Sequence, residues 1–132
     1  MRFFGNKALR RFTKKDGSVD WTAAWQGYDA HIAGIKNRLT SGWLELTEAE
    51  ELHDQRILRV TQRSKRELIL ELDHARLDFS NVKFAWLPST LVGGIWGFSE
   101  LSLDDSGAVC LEVALRNDEF KVVADDVQLW QP

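Results

Sequence analysis

The chain has 132 residues, of which 44% are apolar and 28% charged, with a formal net charge of −3, a balance that excludes the composition of disordered chains and predicts one core in a single domain spanning 1–132. Its opening run, Met1-Arg2-Phe3-Phe4-Gly5-Asn6-Lys7, carries no apolar segment of the secretory kind, and no stretch approaches the roughly 20 apolar residues that cross a bilayer, so no membrane association is expected. Cys110 is the only cysteine, which excludes an internal disulfide and a multi-cysteine metal cage and predicts a reducing, cytoplasmic setting.

Residues 1–16 carry six Lys or Arg against one Asp, whereas the remainder carries eleven Lys or Arg against nineteen Asp or Glu. This basic arm interleaves Phe3, Phe4 and Phe12 with Arg10, Arg11, Lys14 and Lys15. It reads either as a phosphate-neutralising, base-stacking segment or as an edge strand or apolar clasp on the core. The negative overall charge disfavours nucleic acid as a partner.

Between Asp20 and Leu39 the larger apolar residues fall at Trp21, Trp25, Tyr28, Ile32, Ile35 and Leu39, the spacing of a one-sided helix stripe. Ser18 or Asp20 is placed to cap its first turn, and Thr40-Ser41-Gly42 supplies a stop signal. Thr47-Glu48-Ala49-Glu50 has the form of a capping box and predicts a second, shorter helix. From Asp54 onward the period changes to two. Runs are expected around Leu58–Val60 and Leu68–Leu72, joined by a hairpin loop at Gln62-Arg63-Ser64-Lys65.

Leu77 and Phe79, then Val82, Phe84 and Trp86, predict a third strand whose parity breaks near Ser80-Asn81, as a bulge would cause. The stretch from Leu87 to Gly94 is a long connection. Trp96, Phe98, Leu101 and Leu103, a turn at Asp104-Asp105-Ser106-Gly107, and Val109, Leu111, Val113 and Leu115 predict two further strands. Cys110 falls on the opposite parity of that run and reads as strand packing. After a turn at Arg116–Glu119, residues 120–130 form a last strand with a break in it. The sum is an α+β fold, an N-terminal helix packed on a mostly antiparallel five- to six-stranded meander sheet.

His53-Asp54 invites a metal-hydrolase reading, because adjacent His and Asp supply metal ligands in HD phosphohydrolases. Such sites need further ligands on facing helices, whereas His31 falls on the predicted helix and His74 in a turn. The pair is therefore read as a structural corner between helix and strand. Gly97-Phe98-Ser99-Glu100 lacks the second glycine of a nucleophile elbow, and Gly93-Gly94 is not followed by a phosphate-loop pattern. No catalytic residue, metal or cofactor is predicted. Acidic pairs recur at Asp104-Asp105 and Asp118-Glu119, which fall in turns, and at Asp125-Asp126, and together they are expected to give one sheet end a negative edge.

The order of features resembles a family of small bacterial domains in which a helix bearing a tyrosine and spaced apolar residues precedes Leu-His-Asp and a set of strands. The matching positions are Tyr28, Ile32, Ile35 and Leu39, then Leu52-His53-Asp54 with Ile57. Leu68, Leu70 and Leu72, Trp96 to Glu100 and Val127-Gln128-Leu129 follow. The resemblance covers roughly residues 20 to 130, its one sharp element is three residues long, and the loop from Trp86 to Gly94 has no counterpart. Such domains are similar to immunity proteins encoded beside polymorphic or type VI secretion toxins. What the resemblance implies is a stoichiometric, non-catalytic inhibitor whose partner is a cognate toxin protein, with a homodimer compatible with it. Partner contacts are then expected from Asp104, Asp105, Asp118 and Glu119 and from Trp43, Trp86 and Trp96. The alternatives are a nucleic-acid-associated protein using the basic arm and a His-Asp metal-dependent hydrolase.

Overall fold

In the computed structural model, which describes residues 1–4 and 10–132, helix α1 runs from Trp21 to Ile35 and helix α2 from Ser41 to Thr47. The strands are β1 (Ile57–Ser64), β2 (Glu67–Leu72), β3 (Arg76–Trp86), β4 (Trp96–Leu103), β5 (Val109–Leu115) and β6 (Glu119–Trp130). The fold is α+β, with α1 against β4 of a six-stranded antiparallel sheet. The strand order is β1-β2-β3-β6-β5-β4, which corrects the simple meander. Two three-strand meanders join through the longest strands, because the 87–95 connection carries the chain to the far edge and leaves β6 to pair with β3.

The sheet nearly closes on itself. Ahead of β1 and β4, residues 54–57 and 93–96 form a short antiparallel ladder. In it Asp54 N–H donates to the Trp96 carbonyl at 2.8 Å, Trp96 N–H to Gln55 at 2.9 Å, Ile57 N–H to Gly94 at 2.9 Å and Gly93 N–H to Ile57 at 2.7 Å. Closure of this kind removes much of the unpaired edge that invites association with other chains. Inside lies one apolar cluster from β2 (Leu68, Leu70), β3 (Leu77, Phe79), β5 and β6, with Trp43 and Leu46 of α2 and Leu52.

The register break expected near Ser80-Asn81 falls slightly later, since Ser80 and Val82 stay in register with Asp126 and Ala124 and the slip lies between Val82 and Phe84. Phe79 and Val82 both face the core, three residues apart, and Asn81 sits at φ +52. The partner strand makes the matching change, Ala124 and Val127 both being buried, and β6 runs through Asp125-Asp126 without interruption. Asn81 Nδ2 donates to the Asp125 carboxylate there, and the Trp43 indole N–H donates to the Asp125 carbonyl at 3.1 Å. Cys110 packs with Ala108 and Val123 on the other face, where burial pushes its thiol pKa up.

Asp20 caps α1, accepting from Ala23 N–H at 3.1 Å, while Ser18 instead bonds Asp16. The face of α1 turned to the sheet is Ala24, Tyr28, His31 and Ile32, and the two tryptophans stand beside it, Trp21 and Trp25 being 42% and 44% exposed. The predicted stripe is thus rotated. Ala24 lies against Phe3 and Phe4 in a second small cluster, which leaves the larger indoles at its rim.

Two local signals read differently in three dimensions. Thr40-Ser41-Gly42 does not stop a helix but opens α2. Thr47 ends α2 and does not cap a new helix, because its hydroxyl donates to the Leu44 carbonyl at 2.6 Å; only a single 3-10 turn, Glu50–Leu52, follows. The hairpin loop is also shorter than expected, since β1 continues through Ser64.

The side chains of α1 complete the backbone bonding of β4. Leu101 N–H donates to Tyr28 Oη at 2.9 Å, and the Leu101 carbonyl lies 2.9 Å from His31 Nε2. Burial pushes the Tyr28 phenol up to about 12 from its ordinary 10.0. The neutral phenol therefore contributes stability that is complete below pH 10 and is lost as pH rises toward about 12, where the unfolded chain has already released its proton. Tyr28→Phe is expected to destabilise the fold by about 1 to 3 kcal/mol at neutral pH, because the Leu101 N–H loses its acceptor. It should also flatten the alkaline fall in stability, both effects being measured by urea unfolding at pH 7 and pH 11. An unchanged alkaline limb would remove Tyr28 as its source.

Candidate partner-binding cleft

β4 is the strand whose outer side decides what this surface can do. Leu101 directs its N–H and C=O toward α1, and Trp96 directs its own toward the 54–57 ladder. The register slips between Trp96 and Ser99. At the slip, a Cβ on Gly97 would lie 2.7 Å from the Ala114 carbonyl oxygen, so a glycine is required for β4 to approach β5 here. Ser99 and Leu101 pair with Val113 and Leu111. Alternation in an antiparallel ladder then aims the Ser99 N–H and C=O outward, as it does those of Leu101.

Beside Ser99 a cleft of about 490 Å3 opens between α1, the Glu50–Leu52 turn and β4. Trp25 and Asp29, one helical turn apart on α1, form one wall; Glu50 and His53 form the other, over a floor that includes Trp96 and Leu111. Phe98 stands at the mouth. Its ring stacks on Trp21 and on Phe4, each 5.3 Å away between centroids, and meets Trp25 and His53 edge-on at 6.4 and 5.9 Å. Two carboxylates and no Lys or Arg line the cleft.

A larger groove of about 610 Å3 runs past α2, β3 and β6. Apart from the exposed Glu45, its charged groups are already engaged. Arg63 faces Glu67 at 3.9 Å, Asp78 takes two bonds from Arg76, and Asp126 accepts from Thr40 and from Val127 N–H. The smaller cleft, with exposed rings and an open stretch of strand edge, is the better binding site.

The residues expected to touch a partner do not converge. Trp43 is fully buried and Trp96 is 2% exposed, its ring edge-on to Phe120. Both are core because α2 and the closing ladder draw them inward, and Trp96 reaches the cleft only as part of its floor. Trp86 is 60% exposed, opposite Lys121 on the outer face of β3 and β6. Asp104 holds its own turn, accepting from Ser106 N–H and Oγ and from Ala108 N–H, and the Ser106 bond lowers its carboxyl pKa; Asp105 is exposed. Asp118 accepts from Thr90 Oγ1 and from the N–H of the exposed Glu119. These two turns sit at opposite ends of β5, as consecutive turns of an antiparallel sheet must, so they form no common negative edge.

His53 and Asp54 do occupy the corner before β1. His53 Nδ1 lies 3.2 Å from Asp54 Oδ2, Asp54 sits at φ +69, and Arg116 approaches its carboxylate at 3.9 Å. The side chain that ties the corner together is one the sequence reading passed over. Buried Gln55 donates to the Glu51 carbonyl at 2.8 Å and accepts from His74 N–H at 2.9 Å. His31 is taken up by Leu101, and among the described residues no three His, Cys, Asp or Glu gather into a possible metal site.

The basic arm is partly described; residues 5–9, including Lys7, lie outside the described residues. Phe3 and Phe4 are buried against Tyr28, and the Arg11 guanidinium donates to the Arg2 carbonyl and lies over the Phe3 and Phe12 rings. This is the clasp of the two sequence alternatives, and it withdraws both rings from base stacking. Among the described residues, no helix is long and apolar enough to cross a membrane. No family model matches the chain, and no curated protein is significantly similar to it.

Proposed function

We propose that the chain is a non-catalytic protein-binding module of the immunity-protein kind, which neutralises a cognate bacterial toxin, such as one delivered by type VI secretion, in the cytoplasm of the cell that makes both. The observation that carries the reading is the cleft beside Ser99. There, half-exposed indoles and Phe98 border an open stretch of strand edge, and interface energy concentrates on such aromatic anchors. The acidic lining favours steering of a basic partner.

The test is co-expression with the product of the adjacent gene, followed by size-exclusion chromatography and calorimetry. A stoichiometric complex is expected, with Trp21→Ala and Trp25→Ala each weakening it by about 30-fold, the scale of a hot-spot truncation, while thermal unfolding reports that the variants remain folded. Lack of a complex, or a complex indifferent to both substitutions, would sink the reading.

A further inference from the structure

We infer that the group the cleft receives is an arginine side chain carried on an extended segment of the partner, which adds to β4 at Ser99; this rests on the binding reading above. Three observations converge on that chemistry. The half-exposed Trp25 indole on the cleft wall offers the negative π-surface over which a guanidinium stacks, and Phe98, its own faces stacked on Trp21 and Phe4, closes the aromatic rim. Asp29 and Glu50 stand on opposite walls, both exposed and neither in an ion pair among the described residues, and a planar five-donor fork can bond to such carboxylates while its plane lies on a ring. No Lys or Arg lines the cleft to compete for them.

The backbone of the partner is specified by the strand edge. Leu101 is satisfied by Tyr28 and His31, and Trp96 by the 54–57 ladder, so Ser99 lies between two closed positions with its N–H and C=O directed out. One residue of an incoming strand fills that gap with two main-chain bonds, the mode of strand addition. Its side chain then projects beside β4, where the cleft lies.

The probe is the blocked tripeptide acetyl-Val-Arg-Val-amide, titrated into the isotope-labelled protein by NMR up to about 10 mM, a decade above the Kd of about 1 mM expected for one anchored side chain. Saturable shifts are expected at the Trp25 indole N–H and the Ser99 amide. The citrulline analogue, equal in shape but uncharged, should bind about fivefold more weakly, and the double variant Asp29→Asn, Glu50→Gln should lose a similar factor for the arginine peptide. Equal binding of the two peptides, shifts at Trp25 without Ser99, or no shift at all would overturn the inference. If any of these came with a toxin complex still sensitive to Trp25→Ala, the inference would fall while the binding reading stood.

Discussion

Gly42→Ala is expected to destabilise the fold by about 3 to 5 kcal/mol, although it replaces a glycine by the best helix former in a helical position. On helix propensity alone the same change would stabilise α2 by about 1 kcal/mol, so the two effects differ in sign and the result discriminates cleanly. The reason is contact between backbones. A Cβ built on Gly42 lies 1.7 Å from the Val127 carbonyl oxygen and 2.9 Å from its carbon, atoms held in the β3 and β6 ladder, so the strand cannot yield and the helix must. Displacing α2 drags Trp43 from a fully buried site where its indole bonds the Asp125 carbonyl, and loss of a buried tryptophan alone costs about 3 to 5 kcal/mol. Urea unfolding of wild type and variant measures this. A neutral or stabilising outcome would mean that α2 does not lie on β6 as described.

That contact also explains which features could be read from the residues in order. β5 was legible because Val109, Leu111, Val113 and Leu115 alternate without interruption and all four are buried. The irregularity in β3 was legible to within a few residues, because Ser80 and Asn81 break the alternation just ahead of the slip between Val82 and Phe84. Local periods carry no information about partners across the sheet, however. Nothing in the sequence of β3 states that β6, not β4, will lie beside it, nor that residues 54–57 will close the sheet against 93–96. Gly42 reads as a stop for the same reason: its role is set by Val127, 85 positions away in the chain. The cleft was the least legible part. Trp25, Glu50 and Phe98 belong to three separate elements, and Ser99 appeared only within a failed nucleophile motif. The turn carboxylates drew notice as local clusters, yet a turn explains an acidic pair by its own hydrogen bonds, as Asp104 does.

The second large effect lies at Glu100, which occupies a strand position where a charge is costly unless bonded. It is 5% exposed, and its carboxylate accepts the N–H groups of Arg2 and Phe3 at 2.6 Å each and that of Phe4. Those bonds hold two phenylalanines in place: Phe4 lies 4.5 Å from Trp25 and stacks on Phe98, and Phe3 meets Tyr28 edge-on. Burial of each ring is worth roughly 1.5 to 3 kcal/mol, and each bond to a charged acceptor about the same. Glu100→Ala is therefore expected to cost about 3 to 5 kcal/mol by urea unfolding and to expose residues 1–4 to proteolysis. Glu100→Gln should cost less, because its amide oxygen can still accept from the Phe3 and Phe4 N–H groups that share Oε1, while its NH2 group meets the Arg2 N–H donor to donor. A chain lacking residues 1–4 provides the decisive comparison, for there Glu100 has lost all three of its donors. In that background Glu100→Ala should lose its cost, a coupling that a double-mutant cycle measures directly. If the substitution cost the same in both backgrounds, Glu100 would not be what fastens the clasp.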